Sequence, residues 1–285
     1  MLNKSCFSPR TDMADEAHKL WQGSCKEKSE IQGVSAGKTK LYGLDLTEIE
    51  ILNEQGELAL GKAKGKYYSL ELPDYFERSS EVFPDAVKAV SQLIKNCCGE
   101  LSGTVLVASL GNPDITPDAL GNLCASGILV TAHLSSEEFP QFSPLALCRP
   151  GVLGTSGMES SAQIKALCSL VKPELVIVID ALAGSDAERL CRCIQISNAG
   201  ISPGSGVGNN RQEISFNTLA VPVISIGMPT VIDAGYFGGE KFSGMFVTPR
   251  NIDSQVRSGA RLIAYGINLA VHRGINIEDI DSLVN

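Results

Sequence analysis

The sequence predicts an α/β protein with a doubly wound, mostly parallel sheet flanked by helices, together with a small N-terminal β unit. Three short apolar runs rich in β-branched residues lie at Val105–Ala108, Leu175–Ile179 and Pro222–Ile226. Such runs are typical of parallel strands that are buried on both faces. Apolar residues recur at helical spacing in Ser79–Cys98 and Asn251–Val271. Strands that alternate with helices in this way indicate a parallel sheet covered by helices.

The chain before the first buried strand predicts a short helix and then antiparallel strands. Asp12–Trp21 has a helical pattern, and residues 23–38 have the composition of a linker. From Leu41 onward apolar and polar residues alternate, and Leu58–Leu60 and Tyr67–Leu72 continue the strand pattern. We therefore predict a small antiparallel β unit that precedes or flanks the main sheet.

Shorter signals predict the remaining elements. Leu129–Thr131 and Arg192–Ser197 have the composition of short strands. The stretch from His133 to Arg149 contains prolines that interrupt any regular pattern, which predicts a loop. Helices are predicted at Ser160–Val171 and at residues 276–283.

Composition argues against several classes of function. The 285 residues can form one large domain, and the net charge of −8 disfavours nucleic-acid binding, which needs a basic face. No run approaches the roughly 18 apolar residues that cross a membrane, and the N-terminus lacks the apolar core of a secretory signal. The nine cysteines include no CxxC motif. This predicts reduced thiols in the cytoplasm rather than disulfides or a zinc site.

Two aspartates that follow buried strands are the candidate catalytic pair. Asp118 lies in the first turn of a predicted helix, with Thr116 as its N-cap, and Asp180 ends the strand at Leu175–Ile179. Neighbouring parallel strands would bring both to the sheet edge where α/β proteins bind ligands. Two close carboxylates do not both ionise readily, so one becomes an acid and the other a base. Each aspartate alone also fits a helix cap or a turn residue.

Two glycine-rich segments are candidate anion sites. Residues 150–159 open the helix that starts near Ser160, a position that suits an anion but equally suits a tight connection. Residues 200–210 form a longer glycine-rich loop. This loop resembles a phosphate loop only in composition, because Asn209 and Asn210 stand where GxxxxGK[ST] needs lysine and a hydroxyl.

Five motifs in order carry a family resemblance: SPRTDMADEA, SLGNPDITPDALG, IDALA, ISPGSGVGNNR and PVISIGMPTVIDA. The set resembles the germination protease family, spore endopeptidases that degrade small acid-soluble spore proteins. The resemblance implies an atypical aspartic peptidase with a fold similar to hydrogenase maturation proteases. Its two essential aspartates match Asp118 in TPDALG and Asp180 in IDALA. The resemblance also implies a homotetramer in the cytoplasm of the forespore, the future spore core, and Ser202 departs from it because the family tends to have histidine there.

A mechanism follows from the pair and the resemblance together. One aspartate is expected to activate water, and the other to polarise the scissile carbonyl and protonate the leaving amine. Backbone N–H groups of the second glycine-rich loop are expected to stabilise the oxyanion. The residues of that loop are Gly204, Ser205, Gly206, Gly208 and Asn209.

No cofactor is expected, although a metal is not excluded. In the hydrogenase maturation proteases the matching acidic positions bind nickel, so a metal-assisted peptidase of the same fold is one alternative. A non-catalytic α/β module that binds a phosphate or a nucleotide is another.

The N-terminus resembles the family's cleavage sequence. Thr11–Glu16 reads Thr-Asp-Met-Ala-Asp-Glu, with an acidic residue followed by an apolar residue, alanine and further acidic residues. This implies an inactive precursor that cuts itself between Asp12 and Met13. We therefore expect a propeptide-like segment at residues 1–12, mobile in the part before Thr11, and a single α/β peptidase domain at residues 13–285.

Overall fold

The structure is a computed structural model, which describes residues 11–24, 31–209 and 211–284. Within these ranges the chain forms nine strands in one sheet. The strands are β1 (Val34–Leu41), β2 (Leu44–Ile51), β3 (Gly65–Glu71), β4 (Val105–Ser109), β5 (Leu145–Cys148), β6 (Leu175–Gly184), β7 (Cys193–Ser197), β8 (Val223–Asp233) and β9 (Phe246–Val247). The α-helices are α1 (Ala14–Ser24), α2 (Glu54–Leu60), α3 (Phe83–Cys98), α4 (Leu120–Ala125), α5 (Leu153–Ser156), α6 (Ser160–Val171), α7 (Phe216–Leu219), α8 (Gly235–Gly238), α9 (Ile252–Val271) and α10 (Ile277–Val284).

The sheet has a parallel half and an antiparallel half. Its order is β1-β2-β3-β7-β8-β6-β4-β5, with β9 paired to β8. The strands β8, β6, β4 and β5 are parallel, and every other pairing is antiparallel. The α/β class is confirmed, but the sheet is mixed rather than mostly parallel. The N-terminal β unit joins the same sheet because the largely buried strand β3 pairs with β7.

Helices cover both faces of the parallel half. Successive residues of β4 point to opposite faces, since side chains alternate along a strand. Val105 and Val107 belong to the main apolar core with α3 and α9, whereas Leu106 and Ala108 pack with α6 in a second core. Burial on both faces explains why β4 and β6 are continuous apolar runs.

Three sequence predictions are wrong in detail. Leu58–Leu60 belongs to α2, which begins at the side-chain cap of Asn53 and ends at Gly61 in the left-handed conformation. Leu129–Thr131 is not a strand, and a strand forms instead at β5, inside the predicted loop. The strand from Pro222 does not end at Ile226, because β8 continues to Asp233. The register of the pairing between β8 and β6 shifts just after Pro229, and this irregularity accommodates the proline within the strand.

The linker predicted at residues 23–38 is wrong in part, because α1 extends to Ser24 and β1 begins at Val34. The other predicted elements are confirmed within a few residues. The predicted N-terminal helix is α1, and the helix predicted from Ser79 is α3, which begins at Phe83. The elements α6, α9, α10 and β7 lie where expected. Across the described ranges, none of the helices combines the length and the apolar character that crossing a membrane requires.

Candidate active site

Asp118 is positioned at the end of the sheet by a tight turn. Gly111 follows β4 with a φ of +97°, which favours glycine. A Cβ at this position would lie 1.9 Å from the carbonyl oxygen of Asp118. A 3-10 turn over residues 116–118 leads into α4, and the Asp118 carboxylate accepts the N–H of Asn112 at 2.8 Å. Thr116 starts the turn itself and makes no capping hydrogen bond, so its predicted N-cap role is wrong.

Asp180 lies within β6 rather than at its end. On one side β6 pairs with β8 as far as Gly184. On the other side the pairing with β4 stops at Ser109 and Ile179, so Asp180 is the first residue at which this edge of β6 is open. The two aspartates thus meet where β4 ends, as expected from parallel neighbours, although only one of the two strands ends there.

Both aspartates line one cavity of about 620 Å³ at this edge of the sheet. Asp180 forms its inner wall and is only 6% exposed, whereas Asp118 is half-buried. Other parts of the wall come from residues 152–154, from Pro203, Gly204, Val207 and Asn209, and from Phe246 in β9. The first predicted glycine-rich segment therefore contributes to the cavity wall, and the second reaches the same cavity.

The two carboxyl groups have unequal affinities for a proton. Burial, followed by the negative charges of Asp118 and Asp12, raises the pKa of Asp180 well above its ordinary value. Burial also raises the pKa of Asp118, but the N–H of Asn112 opposes that shift because it stabilises the carboxylate. Asp180 therefore holds a proton more tightly, and Asp118 is the member of the pair that ionises first.

Asp12 is a third carboxylate in this cavity. Its Oδ1 accepts the hydroxyl of Ser205 at 2.6 Å, and its Oδ2 accepts the N–H of Ala183 at 2.9 Å. Its own N–H donates to the carbonyl of Ala183 at 2.8 Å. Residues 11 and 12 therefore lie along the open edge of β6, just past Asp180. The sequence identified Asp12 as a cleavage position but gave no sign of these contacts.

The segment after Asp12 is fixed in the protein interior. Met13 is fully buried, and the Arg189 guanidinium pairs with Asp15 at 2.8 Å and with Glu16 at 3.2 Å. Thr11 and Asp12 are likewise fixed, because both are hydrogen-bonded to β6, and the mobility predicted for the segment before Thr11 stays a prediction. Residues 1–10 lie outside the described residues, and Arg189 was not a candidate from the sequence.

The glycine-rich loop is divided between two roles. Gly204 and Asn209 line the cavity with the aspartate pair, and the Ser205 side chain holds Asp12. The N–H groups of Ser205, Gly208 and Asn209 donate to carbonyls of the same loop. These three N–H groups are therefore not available as the oxyanion donors predicted from the sequence. The same bonds leave the loop poorly arranged to cradle a phosphate, which needs inward-pointing N–H groups.

Cysteine and metal chemistry receive no support from the described residues. The cysteines within those ranges are free thiols that are buried or half-buried. Burial raises the pKa of Cys124 and of Cys148, which keeps their thiols neutral. Over the same ranges no group of three or more histidine, cysteine, aspartate or glutamate side chains could hold a metal ion.

Fold and site together define an α/β protein with a carboxylate pair of unequal acidity in a cleft, an arrangement suited to hydrolysis of a polar bond. Comparison with known proteins gives the family. The family model for germination protease matches residues 11–242, and the chain belongs to this family of peptidases.

Relatives share most of their length with the chain. It is 36% identical to the germination protease of Clostridium tetani, covering 98% of this chain and 100% of that protein. It is 38% identical to the germination protease of Caldanaerobacter subterraneus, covering 97% of this chain and 98% of that protein. The germination protease of Bacillus cereus is 40% identical over 82% of this chain and 65% of its own length.

Among solved structures, a similar chain is the [NiFe] hydrogenase maturation protease HycI from Thermococcus kodakarensis. The match covers 61% of this chain and 98% of that one, with 18% identity and a TM-score of 0.37. Nothing about the site is transferred at this level of similarity.

Proposed function

We propose that the protein is an endopeptidase that begins the degradation of small acid-soluble spore proteins during germination, with Asp118 and Asp180 as its catalytic pair. The observation that carries the proposal is the presence of two carboxyl groups of unequal acidity in one cavity at the open edge of β6. Membership of the germination protease family supports a role in germination. We extend this to small acid-soluble spore proteins as the substrates, and to a protein that is made in the forespore and acts in the spore core.

In the proposed mechanism the ionised Asp118 takes a proton from an attacking water. The protonated Asp180 donates a hydrogen bond to the scissile carbonyl, which makes its carbon more electrophilic. When the tetrahedral intermediate collapses, Asp118 passes the proton that it took from water to the leaving amine, Asp180 stays protonated, and the pair regains its starting state. The burial that raises the pKa of Asp180 supports this assignment, because an acid must remain protonated near neutral pH.

We also propose that the chain is made as an inactive precursor and cuts itself between Asp12 and Met13. This is supported by the position of Asp12, which lines the cavity with both aspartates and occupies the open edge of β6. A substrate has to use the same edge, so residues 11 and 12 block it until they are removed. As in the family, we propose that the active unit is a homotetramer.

No metal is required in this proposal. The cavity offers carboxylate oxygens without a histidine or thiolate beside them, a poor donor set for a tightly held transition metal. We expect activity to survive exhaustive chelation.

The test uses the full chain and a purified small acid-soluble spore protein. The chain is first held under mildly acidic, dehydrating conditions, and mass spectrometry is used to find a product that begins at Met13. The processed protein is then mixed with the substrate and the fragments are sequenced. Asp118→Asn and Asp180→Asn are each expected to lower the rate of self-cleavage of the full chain by about 100- to 10,000-fold. Near-normal self-cleavage by either folded variant would refute the pair.

A further inference from the structure

We infer that Ser205, the N–H of Ala183 and the space left by Gly206 form a specificity subsite for an acidic side chain immediately before the scissile bond. The inference rests on the proposed function, since it treats residues 11 and 12 as a bound substrate. It assigns to these residues the selection of the peptide rather than the chemistry of its cleavage.

The first support is the way the Asp12 carboxylate is held. Each of its oxygens has its own donor, the Ser205 hydroxyl at 2.6 Å and the Ala183 N–H at 2.9 Å. Both distances are within the range of hydrogen bonds to ionised acceptors. Asp12 and Ala183 are separated by 171 residues in the chain, so this is a tertiary contact and not a local turn.

Gly206 provides the second support. Its φ lies outside the positive range, so its backbone conformation does not require glycine. A Cβ on this residue would nevertheless lie 2.4 Å from Oδ2 of Asp12 and 2.6 Å from the Cβ of Ala183. The missing side chain therefore makes room for the carboxylate, which explains the glycine by the space that it leaves.

A nearby positive charge provides the third support. The ammonium of Lys62 donates to the carbonyl of Thr11 at 2.8 Å, and Lys62 lines a second, smaller cavity with Asp12 and Ser205. Burial lowers the pKa of Lys62, and the charges of Asp12 and Glu16 oppose that shift. A carboxylate in the subsite thus adds to the negative charge that stabilises the Lys62 ammonium, whereas a neutral side chain would leave only the charge of Glu16 to do so.

The main chain around Asp12 explains how a separate peptide could take the same place. The N–H of Asp12 pairs with the Ala183 carbonyl, and Gln195 bonds both the Asp12 carbonyl and the N–H of Ala14. These contacts use only backbone atoms of the bound segment, so any extended peptide can make them. Such addition of a strand to an open edge leaves sequence selection to the side-chain subsites.

The first experiment measures kcat/KM for quenched peptides based on Thr-Asp-Met-Ala-Asp-Glu, using the full chain after self-processing. The aspartate that corresponds to Asp12 is replaced by asparagine or alanine. We expect a preference of at least about 100-fold for aspartate over alanine, because two hydrogen bonds to a charged group are lost. In Ser205→Ala the preference should shrink, whereas the exposed Ser169→Ala should keep it. Equal rates for the three peptides, or an unchanged preference in Ser205→Ala, would overturn the subsite.

A second experiment tests the subsite without catalysis. In the Asp180→Asn full chain, thermal unfolding is compared for Asp12→Ala, Ser205→Ala and the double variant. We expect Ser205→Ala to lower the melting temperature much less when Asp12→Ala is already present, because the Ser205 hydroxyl donates a hydrogen bond to the Asp12 carboxylate. Additive shifts would overturn the subsite even if peptides are cleaved. Failure of the wild type to cut any peptide would overturn the proposed function, and the unfolding cycle would still decide for or against the subsite.

Discussion

Asp180→Asn should change the pH dependence of stability in a way that follows from the burial of this residue. Two chains are compared, one with Asp180 and one with Asp180→Asn. Both also carry Asp118→Asn, so that neither can cut itself and the charge of Asp118 is removed. In that background burial, together with Asp12, still raises the pKa of Asp180. Asparagine has nearly the same shape but does not titrate, so the difference in free energy of unfolding between the two chains reports Asp180 alone.

The sign and the magnitude follow from proton linkage. Below the ordinary pKa of aspartate, Asp180 is protonated in the folded and the unfolded state. As the pH rises, the unfolded chain loses this proton first, because the folded-state pKa is raised. Between the two pKa values the chain with Asp180 should lose about 1.4 kcal/mol of stability per pH unit relative to the asparagine variant. Above the folded-state pKa the difference should become constant.

The assay is urea unfolding followed by circular dichroism, at pH values from about 4 to about 8. The pH at which the difference levels off gives the folded-state pKa of Asp180. A difference that stays flat over this whole range would show that Asp180 ionises normally in the folded protein. The assignment of Asp180 as the acid of the pair would then be wrong, whatever the activity of the variants.

Three further predictions concern the rest of the site. Arg189→Met should destabilise the protein by about 3–5 kcal/mol, because it leaves the buried carboxylates of Asp15 and Glu16 without their buried cation. The partly exposed Arg192→Met is the control, with an expected loss of at most about 1 kcal/mol in urea unfolding. Asp12→Asn should lower the pKa of Asp180, because one negative charge that raises it is removed. In a pH–rate profile of self-cleavage, the loss of activity at alkaline pH should therefore occur at a lower pH than in the wild type. An alkaline limb at the same pH in both proteins would contradict this. Activity of the processed protein should persist after dialysis against EDTA, and loss that one specific ion restores would indicate a metallopeptidase.

The parts of the fold that the sequence predicted well are those with a single local explanation. Val105–Ala108 and Leu175–Ile179 are apolar at every position, and both runs form strands buried on both faces of the sheet. Leu58–Leu60 is also apolar, but a run this short fits a helix equally well. The side chain of Asn53 decides in favour of the helix, because it accepts the N–H groups of Gln55 and Gly56.

The acidic subsite could not be predicted in the same way, because its members are distant in the chain. Asp12, Ala183 and Ser205 meet only because residues 11 and 12 lie along the part of β6 that β4 leaves open. No local pattern records how far one strand extends past its neighbour. Lys62 and Arg189 share this property, since each contributes through a contact more than 50 residues away.

The unequal acidity of Asp118 and Asp180, the proposed catalytic pair, has the same origin. From the sequence, Asp118 and Asp180 are equivalent: each follows an apolar strand, and either could be the acid. The structure separates them because β4 stops at Ser109 while β6 continues five residues beyond Ile179, to Gly184. Asp180 is therefore enclosed within the sheet, whereas Asp118 stands on a turn that supplies the N–H of Asn112 to its carboxylate. The difference in strand length thus sets which carboxyl group keeps its proton.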